Sequence, residues 1–327
     1  MAQIIDGKKL AEELTQAVTQ ETASYCKNYP QPCLAIVSAG IDPASQVYIK
    51  TKVRALEKAG MQSIIIPYSA TISEQELAAR VQMLNADNTV DGILIQLPLP
   101  YPLDSRWILE QLDPIKDIDG FTSENLGRLL TGNPGFIPCT PQGIMYALQE
   151  YGIPLRGSHA VIVGRSTIVG KPLALLLTAS DATVTLCHSK TKNLAAITKQ
   201  ADILIAAAGY PALITGNMIK KGAAVIDVGI NRIPDPASPK GSRLTGDVEF
   251  ESAVTQADWI TPVPGGVGPL TVAMVLRNTL RAAQLRHGCP LKSDTTAMPD
   301  SSVLHTGIQI RVQNKTQAGV HTGTAGC

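Results

Sequence analysis

Apolar positions along this chain recur in two periods, one helical and one strand-like. Ile5, Leu10, Leu14, Ala17 and Val18 share a face over residues 5–27, with lysines and glutamates opposite, which predicts an amphipathic helix. Residues 33–38 form a short apolar run ended by Gly40, a strand, and 43–59 read as a helix that stops at Gly60. Residues 63–67 are a strand. Ser73 opens a helix with Glu76 three places on, a capping-box pattern. Residues 91–98 are a buried strand with Gln96 near its C-terminal end, and 141–151 a helix. Further strands fall at 160–163, 182–187, 202–209, 223–229 and 259–262, with helices after Pro172, at 193–200 and at 271–287.

Strands alternating with helices predict parallel α/β sheets. Between Pro98 and Thr140, six prolines and four glycines interrupt the pattern, marking a domain junction with functional loops. Beyond Gly288, Gly, Ser, Thr, Gln and Asn dominate, so 288–327 read as a disordered, dispensable tail. The reading is thus an α/β unit over 1–140, a second over 141–269, and a helix over 270–287 that rejoins the first.

With 327 residues, 44% hydrophobic, the chain suffices for two domains. A net charge of +1 gives no reason to expect nucleic acid or a membrane surface as partner. The six cysteines form no C-x-x-C pair or zinc spacing, so free thiols in the cytoplasm are expected and no metal. Asp6, Lys8, Lys9, Glu12 and Glu13 exclude a signal peptide at the start given, and no apolar run reaches membrane-spanning length.

The second unit opens with strand, glycine turn and helix: Val163-Gly-Arg-Ser-Thr-Ile-Val-Gly-Lys-Pro172. That order brings backbone N–H groups and a helix N-terminus to a pyrophosphate. The glycine spacing is unusual: Ser166 and Val169 stand where the common fingerprint has its second and third glycines. After the next strand, His188-Ser-Lys-Thr-Lys192 holds no carboxylate for a ribose 2′-hydroxyl, and Arg165 adds a cation. This balance favours NADP over NAD.

In the first unit, Tyr48 and Lys52 stand at i and i+4 on one helix face, with Lys50 elsewhere. A Tyr/Lys pair can do acid/base work, because an ammonium lowers a neighbouring phenol's pKa and burial lowers an ammonium's. The same Y-x-x-x-K spacing marks short-chain dehydrogenases. There, however, it follows the dinucleotide turn, and here it precedes that turn by more than a hundred residues. Asp113-Pro-Ile-Lys-Asp-Ile-Asp-Gly120 gathers three carboxylates in turn chemistry, without the ligand spacing of a calcium loop.

Six stretches together resemble the bifunctional methylenetetrahydrofolate dehydrogenase/cyclohydrolase family. They are Tyr48-Ile-Lys-Thr-Lys52, Gly92-Ile-Leu-Ile-Gln-Leu-Pro-Leu-Pro100, the Asp113–Gly120 loop, the glycine turn, Val225-Ile-Asp-Val-Gly-Ile-Asn231 and Thr261-Pro-Val-Pro-Gly-Gly-Val-Gly-Pro269. They run in the family's order over residues 2–287. The resemblance implies two α/β domains flanking a cleft, the second a Rossmann-type NADP-binding domain, in a homodimer. It implies hydride transfer from 5,10-methylenetetrahydrofolate to NADP, then hydrolysis of the methenyl product to 10-formyltetrahydrofolate. Lys52 would be the acid/base of hydrolysis, Tyr48 would order the folate ring, Gln96 would tune the lysine, and Asp119 would anchor the pterin. Gly164, Arg165, Ser166, Ser189 and Ile230 would hold the dinucleotide, and the loop from Pro264 to Pro269, with Pro264 and Gly268 as substrate contacts, would lie where cofactor and folate meet. Two alternatives stay open: another two-domain NADP-dependent dehydrogenase of a small acid, and a non-catalytic dinucleotide-binding protein.

Overall fold

The structure is a computed structural model that describes residues 2–40, 43–236, 238 and 241–289, with only the backbone of 43–45. The expected tail, apart from residues 288 and 289, lies outside the described residues.

A two-residue strand, β1 (Gln3–Ile4), opens the chain, followed by α1 (Gly7–Tyr25), β2 (Cys33–Ala39), α2 (Pro43–Lys58), β3 (Gln62–Tyr68), α3 (Glu74–Ala86) and β4 (Gly92–Ile95). Three helices follow: α4 (Ser105–Leu109), α5 (Ser123–Leu130) and α6 (Cys139–Glu150). The second series is β5 (His159–Val163), α7 (Gly170–Ala179), β6 (Thr183–Cys187), α8 (Leu194–Thr198), β7 (Ile203–Ala206) and β8 (Ala224–Asp227). It ends with β9 (Asn231–Pro234), β10 (Ser242–Thr245), α9 (Phe250–Ala253), β11 (Trp259–Ile260) and α10 (Val267–Arg286).

Two parallel sheets carry the fold. One has the order β3-β2-β4 and the other β1-β11-β8-β7-β5-β6. Strands β4, β7 and β8 are buried along their whole length, which is why they read as unbroken apolar runs. The chain's start belongs to the second sheet, where Gln3 pairs with Trp259. Helix α10 returns to the first unit and packs on α1, α2 and α6. At its end the Arg286 guanidinium meets the Asp91 carboxylate at 2.8 Å, and that carboxylate also accepts from the Cys33 backbone N–H at 2.9 Å. A buried charge held in this way ties the last helix to the first sheet.

Several elements differ from the sequence reading. Helix α1 starts at Gly7, because the Asp6 side chain accepts from the Lys9 N–H and caps it there. Ile5 is therefore outside the helix; it is fully buried as a connector whose N–H bonds to the Ile260 carbonyl. Residues 98–140 hold α4 and α5, each nucleated by a side-chain cap from Asp104 or Thr122. The β9–β10 hairpin escaped notice because its residues are half-buried or exposed and carry no apolar period. The strand read at 91–98 ends at Ile95, and that read at 259–262 spans two residues. The capping box at Ser73 is present, with its hydroxyl accepting from the Glu76 N–H.

Candidate active site

Helix α2 presents two functional side chains one turn apart. Tyr48 is half-buried, Lys52 is 9% exposed, and Lys50 points to solvent. The Lys52 Nζ donates to Gln96 Oε1 at 3.1 Å. Gln96 sits one residue past β4, its own N–H bonded to the Val37 carbonyl and its Nε2 to the Leu97 carbonyl at 2.9 Å. Both ends of that side chain are thus assigned, and its oxygen is fixed on the lysine.

Asp119 joins this pair from the turn between α4 and α5. Burial pushes its carboxyl above the ordinary Asp range, opposed by the Lys52 charge and by a hydrogen bond from the Cys139 thiol. Burial, with the Asp119 charge beside it, pushes the Cys139 thiol well up, so it stays a neutral donor. Asn278 on α10 braces the turn, its Nδ2 donating to the Ile118 carbonyl at 2.8 Å and the Ile137 carbonyl at 3.3 Å. Cation, amide, carboxylate and thiol therefore converge from four separate stretches. Cys139 and Asn278 were not foreseen; a Cys between two prolines and one Asn in an apolar helix carry no local signal.

Tyr48 faces a cavity of about 520 Å³ between the two units. Ile230, Pro264 and Gly268 line it, and Lys52, Gln96 and Asp119 are not among its described lining residues. The phenol pKa departs from the sequence expectation. Burial raises it, and the cation that opposes burial is Arg232 on β9, not Lys52.

On the far wall, two buried aspartates fix the loops. Asp227 at the end of β8 accepts from the N–H groups of Gly229, Asp247 and Val248 at 2.9–3.0 Å. Asp247 accepts from Ala208, Gly209 and Asn231 Nδ2. A Cβ at Gly246 would overlap the Asp227 carboxylate. Burial pushes Asp227 up to about 6. A carboxylate closing an apolar strand was the available sequence signal for Asp227.

The remaining expected residues surround the glycine turn, away from this cavity. Gly164 has φ +135°, and a Cβ there would overlap the Ala207 carbonyl oxygen. The turn therefore requires glycine for its own packing. The Ser166 hydroxyl accepts from the Val169 and Gly170 N–H groups at 3.1 and 3.3 Å, so the helix start is partly satisfied by the chain itself. Its O–H proton and the exposed Arg165 remain for a ligand. Ser189 is exposed in a loop that closes when His188 Nδ1 accepts from the Lys190 N–H at 3.1 Å. Arg165, Lys190 and Lys192 have no carboxylate partner among the described residues. This donor set fits an anionic dinucleotide. No cluster of three His, Cys, Asp or Glu among the described residues has metal-holding geometry, and no helix there is long and apolar enough to cross a membrane.

Residues 5–119 match the family model described as tetrahydrofolate dehydrogenase/cyclohydrolase, catalytic domain, and 138–287 match that of its NAD(P)-binding domain. The bifunctional protein FolD of Bordetella avium is 53% identical over 283 residues, 86% of this chain and 98% of that protein. The bifunctional methylenetetrahydrofolate dehydrogenase/cyclohydrolase of Campylobacter jejuni superposes with a TM-score of 0.83 at 43% identity, covering 88% of this chain and 100% of that one. The Trypanosoma brucei dehydrogenase–cyclohydrolase, solved with NADP and an inhibitor, gives 0.84 at 39% identity over 87% and 98%. The two matched models and the shared fold lead to one statement: this chain belongs to the tetrahydrofolate dehydrogenase/cyclohydrolase family.

Proposed function

We propose that the protein oxidises 5,10-methylenetetrahydrofolate to 5,10-methenyltetrahydrofolate and hydrolyses that product to 10-formyltetrahydrofolate, with NADP as dinucleotide. The observation that carries this reading is the Lys52–Gln96 contact at 3.1 Å beside Asp119, one helical turn from a cavity shared by both units. Bound NADP would supply the hydride acceptor. Removing a hydride needs no protein base, so the first step rests on positioning. Tyr48, Ile230, Pro264 and Gly268 supply the apolar walls that hold the reacting rings together.

Hydrolysis needs proton movement. Water adds to the methenyl carbon and gives one proton to the neutral Lys52 amine; Lys52 then returns that proton to N5 as the bond from the carbon to N5 breaks, and the added hydroxyl loses its own proton to solvent as the 10-formyl C=O forms. Gln96 fixes the lysine, and Asp119 binds the amino-pyrimidine edge of the pterin. Gly164, Arg165, Ser166 and Ser189 would hold the dinucleotide, with the cations near Ser189 suited to a 2′-phosphate. The protein acts in the cytoplasm as a homodimer. In support, β3 is a sheet edge with Ile64 and Ile65 40% and 48% exposed, an apolar edge that a second copy would cover. Light scattering would return twice the chain mass; a single-chain mass at micromolar concentration would remove the dimer.

An absorbance time course tests the function. NADPH should form from methylenetetrahydrofolate, faster with NADP than with NAD, and added methenyltetrahydrofolate should decay above its uncatalysed rate. Folded protein giving neither signal would overturn the reading.

A further inference from the structure

Among the described residues that line the cavity there is one cation, and neither reaction step uses it. Arg232 on β9 lies opposite Leu244 on β10, and both line the cavity facing α2. Among the described residues one hydrogen bond holds the guanidinium, from Nη1 to Ser242 Oγ at 3.1 Å. It has no carboxylate partner among the described residues. The one carboxylate among the described residues of the cavity wall, Asp227, is occupied by three backbone N–H groups. A guanidinium has five N–H donors in a planar fork, so most of its capacity is unspent on a mostly apolar wall.

We infer that Arg232 is a specificity-determining residue that binds a carboxylate of the substrate's glutamate tail. The inference rests on the folate reading proposed above and deepens it. In that reading the Lys52–Gln96–Asp119 cluster takes the pterin end of such a substrate, with Lys52 one helical turn from Tyr48. The rest of the molecule then extends along the cavity that Tyr48 lines, with its carboxylates farthest from the pterin. Arg232 lines the same cavity as Tyr48, close enough for its charge to be felt at the phenol. The dinucleotide phosphates have their own donors at the glycine turn, which does not line this cavity. A planar fork matched to a carboxylate discriminates by charge and shape.

The test compares 5,10-methylenetetrahydrofolate with 5,10-methylenetetrahydropteroate, which lacks the glutamate. In the wild type, kcat/KM should favour the glutamate-bearing substrate, and added salt should erode that preference. In Arg232→Gln the preference should fall about fivefold, mainly through KM, while the KM for NADP moves less than twofold. Arg232→Lys should restore part of it. Ser242→Ala, which keeps the charge, should retain most of it. An unchanged substrate ratio in Arg232→Gln would overturn the inference, as would a rise confined to the KM for NADP, which would assign the residue to the dinucleotide. A folded wild type inactive on both substrates would overturn the proposed function and this inference with it.

Discussion

The two walls of the cleft are built from different materials. The first-unit wall is made of side chains: Lys52, Gln96, Asp119 and Cys139 meet from four stretches and exchange hydrogen bonds and charge. The second-unit wall is made of backbone: a glycine turn at Gly164, and loops whose N–H groups converge on Asp227 and Asp247. The difference separates two tasks. Proton transfer needs a titratable group held at one place. Holding an anionic dinucleotide needs N–H donors and close approach of the chain. One wall should therefore fail by loss of chemistry and the other by loss of shape.

Substitutions in the two walls can break that comparison. The largest effect is expected for Lys52→Met, which keeps the stem and removes the ammonium. Methenyltetrahydrofolate hydrolysis should fall by ~10²–10⁴-fold, the usual worth of a positioned proton-transfer group. Retained hydrolysis would take Lys52 out of the mechanism. Next comes Gly164→Ala. Its methyl would overlap the Ala207 carbonyl oxygen at a backbone angle that disfavours side chains. A loss of ~2–4 kcal/mol is expected in denaturant unfolding, together with weaker NADP binding. Unchanged stability and affinity would show that the turn relaxes freely.

The smallest effect concerns pH. Asp227 sits at about 6 in the fold, above the ordinary value of about 3.9. Between those values the folded state keeps a proton that the unfolded chain releases. Its contribution to stability is fully present below pH ~4 and is lost as pH rises through ~6. The stability of wild type relative to Asp227→Asn should therefore fall from pH 4 to 7, by ~1–3 kcal/mol. A flat difference would mean that the three backbone donors outweigh burial at this carboxylate.

The same contrast explains what the sequence disclosed. The backbone wall is local: an apolar strand, Gly164 and Pro172 lie within a dozen residues, so the turn was legible directly. Periodicity alone located the buried strands and α10. The side-chain wall is not local. Tyr48 and Lys52 share a helix face by spacing, but nothing in that spacing brings Gln96 or Asp119 to them; only the family resemblance gathered the four. Arg232 and Leu244 were invisible for another reason. Their hairpin is half-exposed and lacks apolar alternation, so its strands read as loop although they border the cavity. The phenol environment also needed the fold, because the cation facing Tyr48 comes from 184 positions along the chain rather than from the next helical turn.

The division of labour is tested most directly by titrating NADP into Lys52→Met while its hydrolysis is measured in the same preparation. The account predicts a dissociation constant within about twofold of wild type, beside hydrolysis reduced at least ~10²-fold. A parallel tenfold or greater loss of NADP affinity, in protein that remains folded, would contradict the separation of the two walls.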